Sequence, residues 1–210
     1  MDITALFITA FLVGLSGAMM PGPLLTVAIA ESARRGFKAG PLIVLGHGIL
    51  ELALIIALLA GLSYYLQKPV VTTVISVIGG AFLLFMGFNM IRDVLQGRVT
   101  LESSDNDAGT GINMHPVMAG ILVSISNPFW SIWWATIGLT YLTMALKSGT
   151  MGIASFFSGH IMADLLWYSL ISAAIAGGRR FLKQSVYQTI IMFCGLFLIG
   201  LGGYFIYGVI

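Results

Sequence analysis

Long apolar stretches, four of the six without any charged residue, alternate with short polar segments along the whole chain, and this pattern predicts membrane-spanning helices. Six such stretches cover residues 3–30, 39–67, 69–91, 116–146, 148–178 and 184–210. A spanning helix needs about 20 apolar residues, whereas a strand of a membrane barrel alternates over about 10. The lengths therefore predict an all-α integral membrane protein with six transmembrane helices, which we number one to six in chain order.

The composition narrows the class of protein further. Hydrophobic residues make up 58% of the chain, charged residues only 9%, and the mean hydropathy is +0.99, whereas soluble domains are about 25% charged. The long polar segment at residues 96–115 is typical of a solvated loop, so residues 1–210 are predicted to form a single transmembrane domain. Soluble catalysis, a bound cofactor and nucleic-acid binding are not expected, and a lone cysteine, Cys194, excludes a two-thiol redox site.

Basic residues indicate the orientation in the membrane, because Lys and Arg concentrate in cytoplasmic loops. The connections after helices one, three and five hold eight of the ten Lys and Arg residues. Only Lys68 and Lys147 lie in the connections on the opposite side of the membrane. Both termini are therefore predicted outside the cytoplasm, in a multi-pass protein of the cytoplasmic (inner) membrane. The eight residues are Arg34, Arg35, Lys38, Arg92, Arg98, Arg179, Arg180 and Lys183.

A short pattern recurs in helices two and five: Gly-His, three residues, then a carboxylate. One copy contains His47 and Glu51, and the other contains His160 and Asp164. Since helices two and five run in opposite directions, the two copies predict a pair of inverted three-helix repeats, an arrangement common in secondary transporters. The predicted parts are repeat one at about 1–95, a cytoplasmic loop at about 96–115 and repeat two at about 116–210.

Prolines inside helices one and four predict that the two halves also share a helix break at matching positions. The first helix contains Pro21, Gly22 and Pro23, and the fourth contains Asn127 followed by Pro128. Because Asn caps helices and Pro favours their first position, both helices should break and restart there. A tolerated kink is the alternative interpretation, but paired breaks at membrane depth favour a lined cavity.

The repeated polar residues suggest proton coupling. Residues four apart share one face of a helix, so His47 should stack with Glu51 and His160 with Asp164. A carboxylate at mid-bilayer is costly when ionised, so both carboxylates should face inward, where they can carry a proton or pair with a cationic substrate. The alternative is a buried polar cluster that only holds the helices together.

A zwitterionic small molecule would suit the two helix breaks, because a new half-helix offers free N–H groups and a positive dipole end. Trp130, Trp133 and Trp134 follow the second break and either line this pocket or simply pack between helices. The predicted substrate-binding residues are Pro21, Gly22, Pro23, Thr26, Ser126, Asn127, Pro128, Trp130 and Trp134, with Ser124 as a further hydrogen-bonding group.

The sequence is also compatible with two other functions. The same histidines and carboxylates offer four ligands to a divalent metal cation, which would make the protein a metal exporter. A membrane scaffold that moves no solute is the third class, although it gives no reason for breaks and carboxylates to recur. Small residues at Ala10, Gly14 and Ala18, and at Ala53, Ala57 and Gly61, permit close packing either within one subunit or across a homodimer.

The run from Gly14 to Pro23, followed by residues 34–40 (Arg-Arg-Gly-Phe-Lys-Ala-Gly), resembles the opening of the LysE-type (LysE/RhtB) amino acid exporter family. Asn127-Pro128 is similar to that family's second motif, and the resemblance covers essentially the whole chain. It implies export of amino acids or related small metabolites from the cytoplasm, driven by the proton gradient. The implied partners are therefore an amino acid-like substrate, protons and the lipid bilayer.

Overall fold

The computed structural model describes residues 2–20, 22–62, 68–99, 114–178 and 183–209. Within these ranges the chain is helical and contains no strand. The α-helices are α1 (Ile3–Ala18), α2 (Pro23–Arg35), α3 (Ala39–Ala57), α4 (Pro69–Leu95), α5 (Pro116–Ile125), α6 (Pro128–Trp133), α7 (Leu139–Leu146), α8 (Gly149–Gly178) and α9 (Gln184–Tyr207). Two π-helical turns add to them: Leu58–Leu62 extends α3, and Trp134–Gly138 joins α6 to α7.

Both predicted helix breaks are present. The axes of α1 and α2 differ by 75°, and those of α5 and the continuous segment Pro128–Leu146 differ by 66°. Gly22 is fully extended before Pro23 opens α2. Asn127 is also extended, and its side-chain oxygen accepts a hydrogen bond from the N–H of Phe129 at 3.1 Å. The predicted N-cap is therefore confirmed, with Pro128 as the first helical residue after it.

The helices are long and apolar enough for an integral membrane protein. Each bent pair adds one span if its two members cross the membrane together, which gives up to six. Helix α4 and the extended α3 are among the spans, since a helix of about 20 residues covers the hydrocarbon layer. In the part of the chain that the structure describes, four continuous helices are long and apolar enough to span: Ala39–Leu62, Pro69–Leu95, Gly149–Gly178 and Gln184–Tyr207.

Glycines allow the helices to approach closely. Helix α9 lies along α4, α1 lies along α8, and α3 packs against α5. Gly46 of α3 faces the carbonyl of Val117 in α5, and Gly159 of α8 faces the carbonyl of Phe7 in α1. Any side chain at either glycine would collide with the facing backbone, so these contacts fix the distance between the paired helices.

The first set of small residues, Ala10, Gly14 and Ala18, packs inside the subunit, whereas the second set, Ala53, Ala57 and Gly61, is partly exposed. Gly14 of α1 faces His160 and Ala163 of α8. Ala53 and Gly61, in the second set, are exposed. A homodimer therefore stays a prediction.

The ends of several helices meet at one end of the molecule and carry most of its basic residues. A guanidinium N–H of Arg35 donates to the carbonyl of Met114, at 3.2 Å, and the amide of Gln188 donates to the carbonyl of Val99, at 3.3 Å. We call this the basic end. Its described basic residues are Arg34, Arg35, Lys38, Arg92, Arg98 and Lys183, while Lys68 and Lys147 lie at the opposite end.

Two apolar clusters occupy different levels along α3 and α8. Along α3, Ile43 belongs to the first cluster and Leu54 to the second. Along α8 the order is reversed, since Phe156 belongs to the second cluster and Tyr168 to the first. The two helices therefore run in opposite directions through the same two apolar layers. Along α9 the first cluster continues from Tyr187 to Phe205, over most of the length of that helix. We call the part of the first cluster around Ile43 and Tyr168 the basic-end layer, and the second cluster the opposite-end layer.

Close packing between α4 and α9 gives a test of this architecture. A Cβ atom at Gly195 would lie 2.9 Å from the carbonyl oxygen of Gly87, whereas one at Gly200 would meet nothing within 4 Å. We expect Gly195→Ala to lower the free energy of unfolding by about 1–3 kcal/mol, because overpacking forces the helices apart. Denaturation of the purified protein in detergent measures this change, with Gly200→Ala as the control. Equal stability of the two variants would contradict the packing.

Candidate functional site

Four ionisable side chains meet between the two apolar layers. His47 and Glu51 come from α3, and His160 and Asp164 come from α8. One potential ligand atom from each residue lies within 4.8 Å of the other three, and all four residues are buried. We call these four residues the tetrad. The fold thus brings together the two polar pairs that the sequence places in different halves of the chain.

Glu51 is the centre of the tetrad. Its Oε1 atom lies 3.1 Å from Nε2 of His47 and 3.2 Å from Nε2 of His160. The indole N–H groups of Trp130 and Trp134 donate to the same oxygen at 3.1 and 2.9 Å. Four nitrogen atoms therefore surround one carboxylate oxygen. Hydrogen bonds to a charged acceptor are about twice as strong as neutral ones, which offsets part of the cost of burying the carboxylate.

The broken helix supplies two of these donors. Trp130 lies in α6, and Trp134 opens the π-helical turn that follows. Because α6 begins at Pro128, the two indole N–H groups that follow it come within hydrogen-bond distance of Glu51. The second break is therefore connected directly to the tetrad through the two indoles.

The two histidines have different surroundings. Nδ1 of His47 lies 2.7 Å from the hydroxyl oxygen of Ser124, so both ring nitrogens of His47 have partners. Nδ1 of His160 is buried and has no hydrogen-bond partner among the described residues. Instead, the ring of His160 stacks on Trp133, with ring centres 4.7 Å apart. Asp164 Oδ2 lies 3.4 Å from His47 Nε2 and 3.9 Å from His160 Nε2.

A cavity of about 180 Å³ opens beside the tetrad. It lies between the two helix breaks, because Gly22 and Asn127 both line it. The wall is apolar apart from a few polar groups, as is usual for small-molecule sites. All four tetrad residues line the cavity, together with Gly14, Leu24, Leu25, Trp130, Trp133 and Tyr168, among others.

Several predicted site residues lie at this cavity. Gly22, Asn127 and Trp130 are part of its wall. Pro23 and Pro128 are buried and open the half-helices beside it. Trp134 is fully buried and reaches the tetrad through its hydrogen bond to Glu51.

Other predicted residues lie elsewhere. The hydroxyl of Thr26 donates to the carbonyl of Gly22 in its own helix, and its side chain lines a separate apolar cavity between α2 and α9. Ser126 is buried, and its backbone packs against Gly79 of α4. The hydroxyl of Ser124, expected to bind substrate, is hydrogen-bonded to His47 instead. Pro21 lies outside the described residues.

Tyr168 and Gly14 are among the lining residues that were not predicted from the sequence. Tyr168 follows Asp164 by one helical turn, so the four-residue spacing of His160 and Asp164 would have found it. Gly14 was interpreted only as a packing residue, and its position beside His160 depends on how α1 meets α8. Nothing in the sequence of α1 alone indicates that contact.

Apolar helices broken at the middle, with buried charges beside the breaks, are typical of multi-pass membrane translocators. Comparison with known proteins agrees: residues 15–209 match the LysE type translocator family, and the chain belongs to that family. No solved structure matches the chain.

Three curated relatives are each 24% identical to the chain. The chemotactic transduction protein ChpE of Pseudomonas aeruginosa aligns over 95% of this chain and 96% of its own length. The putative amino acid efflux protein YcgF of Bacillus subtilis aligns over 96% and 95%, respectively. The threonine efflux protein of Escherichia coli K12 aligns over 81% and 82%.

The indole bonds to Glu51 can be tested by substitution. Trp134→Phe keeps most of the ring but removes one donor, so we expect a loss of about 1–2 kcal/mol in the free energy of unfolding. Trp167→Phe is the matched control, because Nε1 of Trp167 is buried and has no hydrogen-bond partner among the described residues. Denaturation in detergent compares the two variants, and a larger loss for Trp167→Phe would argue against the role given to Trp134.

Proposed function

We propose that this protein is a secondary active exporter of amino acids or related small metabolites across the cytoplasmic membrane, coupled to protons and working by alternating access. The observation that carries the proposal is the tetrad, a buried group of two carboxylates and two imidazoles beside a cavity at two helix breaks. Family membership supports a translocator. The names of the Bacillus and Escherichia relatives support efflux of amino acids.

Two inverted repeats, residues 1–95 and 116–210 with a cytoplasmic loop between them, form the framework of this proposal. Matching contacts support them. The glycine before each tetrad histidine packs on the backbone of the first helix of the other half: Gly46 on Val117, and Gly159 on Phe7. The pairing of α1 with α8 likewise corresponds to that of α5 with α3. Inverted repeats of this kind exchange roles when a transporter opens to the other side.

The two apolar layers support alternating access, because along α3 and α8 one layer lies on each side of the tetrad. We propose that the basic-end layer parts to admit substrate and that the opposite-end layer parts to release it. The basic end would then face the cytoplasm, with both termini outside, as the distribution of Lys and Arg predicts.

The cavity has features suited to both ends of an amino acid. Helix α2 begins at the cavity, where Leu24 and Leu25 line the wall, and its positive dipole end favours a carboxylate. Glu51 and Asp164 on the other wall favour a cation. A zwitterion lying between these groups would have both of its charges compensated.

Proton coupling follows from competition at the same carboxylates. A proton and a cationic group of the substrate cannot both neutralise one carboxylate, so binding of one promotes release of the other. Protons entering from outside would displace the substrate outward, and they would leave the tetrad when the cavity faces the cytoplasm. Glu51 and Asp164 would carry the proton, with His47 and His160 as their exchange partners.

Transport from reconstituted vesicles tests the proposal. We expect vesicles loaded with a panel of amino acids to release one or more of them faster when the outside is made acidic. Glu51→Gln and Asp164→Asn keep the side-chain shape but remove the charge, so each should reduce proton-driven efflux at least about tenfold. Glu31→Gln, which alters a carboxylate paired with Arg34 and Arg35 outside the tetrad, is the control. Unchanged pH dependence in both tetrad variants would remove these carboxylates from the coupling role.

A divalent metal cation is the second candidate substrate, because four suitable ligand atoms lie within 4.8 Å of one another. The same vesicles, loaded instead with divalent cations, distinguish the two functions. A metal exporter would release the cation, lose this release in His47→Ala and His160→Ala, and leave amino acids inside. Release of neither kind of solute would indicate a protein that transports nothing in this assay, which would contradict the proposed function.

A further inference from the structure

A second cavity lies between α2 and α9, and none of the tetrad residues lines it. It has a volume of about 560 Å³ and is lined by residues within 22–29 and 186–197. Among them, Val186 and Phe193 are 44% and 68% exposed. Both belong to Gln184–Tyr207, a helix long and apolar enough to span the membrane. The cavity therefore opens toward the hydrocarbon layer, and we call it the α2–α9 groove.

The α2–α9 groove offers a polar ligand little to bind. The hydroxyl of Thr26 donates to the carbonyl of Gly22 at 2.9 Å, and that of Thr189 donates to the carbonyl of Ser185, also at 2.9 Å. Both threonines thus use their hydroxyl protons within their own helices. The other lining side chains are aliphatic or aromatic apart from the thiol of Cys194, which is a weak hydrogen-bonding group. These surroundings suit a hydrocarbon chain.

The length and depth of the α2–α9 groove match one leaflet of a bilayer. Along α9 the groove extends from Val186 to Phe197, which is about 17 Å at the rise of an α-helix. Half of the hydrocarbon core is about 15 Å thick. Since α9 begins at the basic end, the groove lies in the leaflet on that side and reaches inward to Gly22, at the first helix break. An acyl chain lying along α9 would fill this length.

Positive charge lies at the outer end of the α2–α9 groove. Lys183 is exposed and immediately precedes α9, about one helical turn before Val186. At this level the neighbouring lipid groups are headgroup phosphates, and a lysine near the membrane surface attracts anionic lipids. The apolar groove and the lysine therefore match the two parts of one molecule.

We propose that the α2–α9 groove binds an acyl chain of an anionic phospholipid, whose headgroup lies at Lys183. This lipid site is separate from the tetrad, and the proposal does not depend on which solute is transported. Gly22 and Leu25 line both the α2–α9 groove and the cavity beside the tetrad. A bound acyl chain would therefore contact the same half-helix, α2, that forms part of the wall of the substrate cavity.

Native mass spectrometry of the purified full-length protein in detergent tests the lipid site. Phosphatidylglycerol, which is anionic, and phosphatidylethanolamine, which is zwitterionic, are titrated separately with identical acyl chains. We expect phosphatidylglycerol to bind about fivefold more tightly, the selectivity that one lysine near the membrane surface provides. Equal affinities for the two lipids, or retention of neither, would overturn the proposal.

Substitution of Lys183 tests the position of the headgroup. Lys183→Gln removes the charge, so we expect this variant to bind the two lipids with equal affinity. Lys147→Gln is the matched control, because Lys147 is an exposed lysine at the opposite end of the molecule, and it should keep the preference for phosphatidylglycerol. An undiminished preference in Lys183→Gln would contradict the assignment.

Substitution of Thr189 tests the position of the acyl chain. Thr189→Trp places an indole in the α2–α9 groove, and it removes no hydrogen bond between helices because the hydroxyl of Thr189 is bonded within α9. We expect it to weaken binding of both lipids at least about tenfold. Leu196→Trp, at an exposed position of α9 outside the groove, should bind both lipids like the unmodified protein. Equal lipid affinities in the two tryptophan variants would overturn the proposal.

A second copy of the chain is the other occupant to be distinguished, and the same spectra would record it as a dimer. A dimer that dissociates in Thr189→Trp but persists in Leu196→Trp, with no lipid retained in either, would assign the groove to a subunit interface. That result would contradict the lipid site.

Discussion

The burial of two carboxylates and two imidazoles in the middle of an apolar bundle is the constraint on which the rest of the structure depends. Ionisable groups at this depth are stable only when they are paired or surrounded by donors. Four nitrogen atoms around one oxygen of Glu51 meet that requirement. They come from three different parts of the fold, so α3, α8 and the segment after the second break must be assembled together.

The helix breaks and the buried charges therefore form one unit. Asn127 and Pro128 start a helix inside the bundle, and that segment carries the indoles that bond to Glu51. The first break brings Gly22 and the start of α2 to the same cavity. A movement of either half-helix would change the surroundings of the tetrad. This connection gives a physical route by which the protonation of Glu51 and the position of the helices can influence each other.

Much of this arrangement could be predicted from the sequence because it depends on local rules. Uncharged stretches indicate spans, Asn127-Pro128 indicates a helix start, and the spacing of His47 and Glu51 places both on one face. What could not be predicted depends on which helices meet. Thr26 faces a different cavity because α2 turns at the break, and Ser124 bonds to His47 because α5 packs on α3. The difference between the two histidines arises from Ser124 and Gly14, which occupy corresponding places only after folding.

We propose that the tetrad is reached from alternate ends of the molecule when one apolar layer or the other parts. The hydroxyl oxygens of Ser32 in α2 and Ser172 in α8 lie 2.7 Å apart and fully buried near the basic end. In a Cys194→Ser background, Ser32→Cys combined with Ser172→Cys places two thiols at disulfide distance. Efflux is then measured before oxidation, after oxidation and after reduction. We expect the disulfide to stop efflux and reduction to restore it, whereas full efflux through the oxidised protein would show that the basic-end layer need not part.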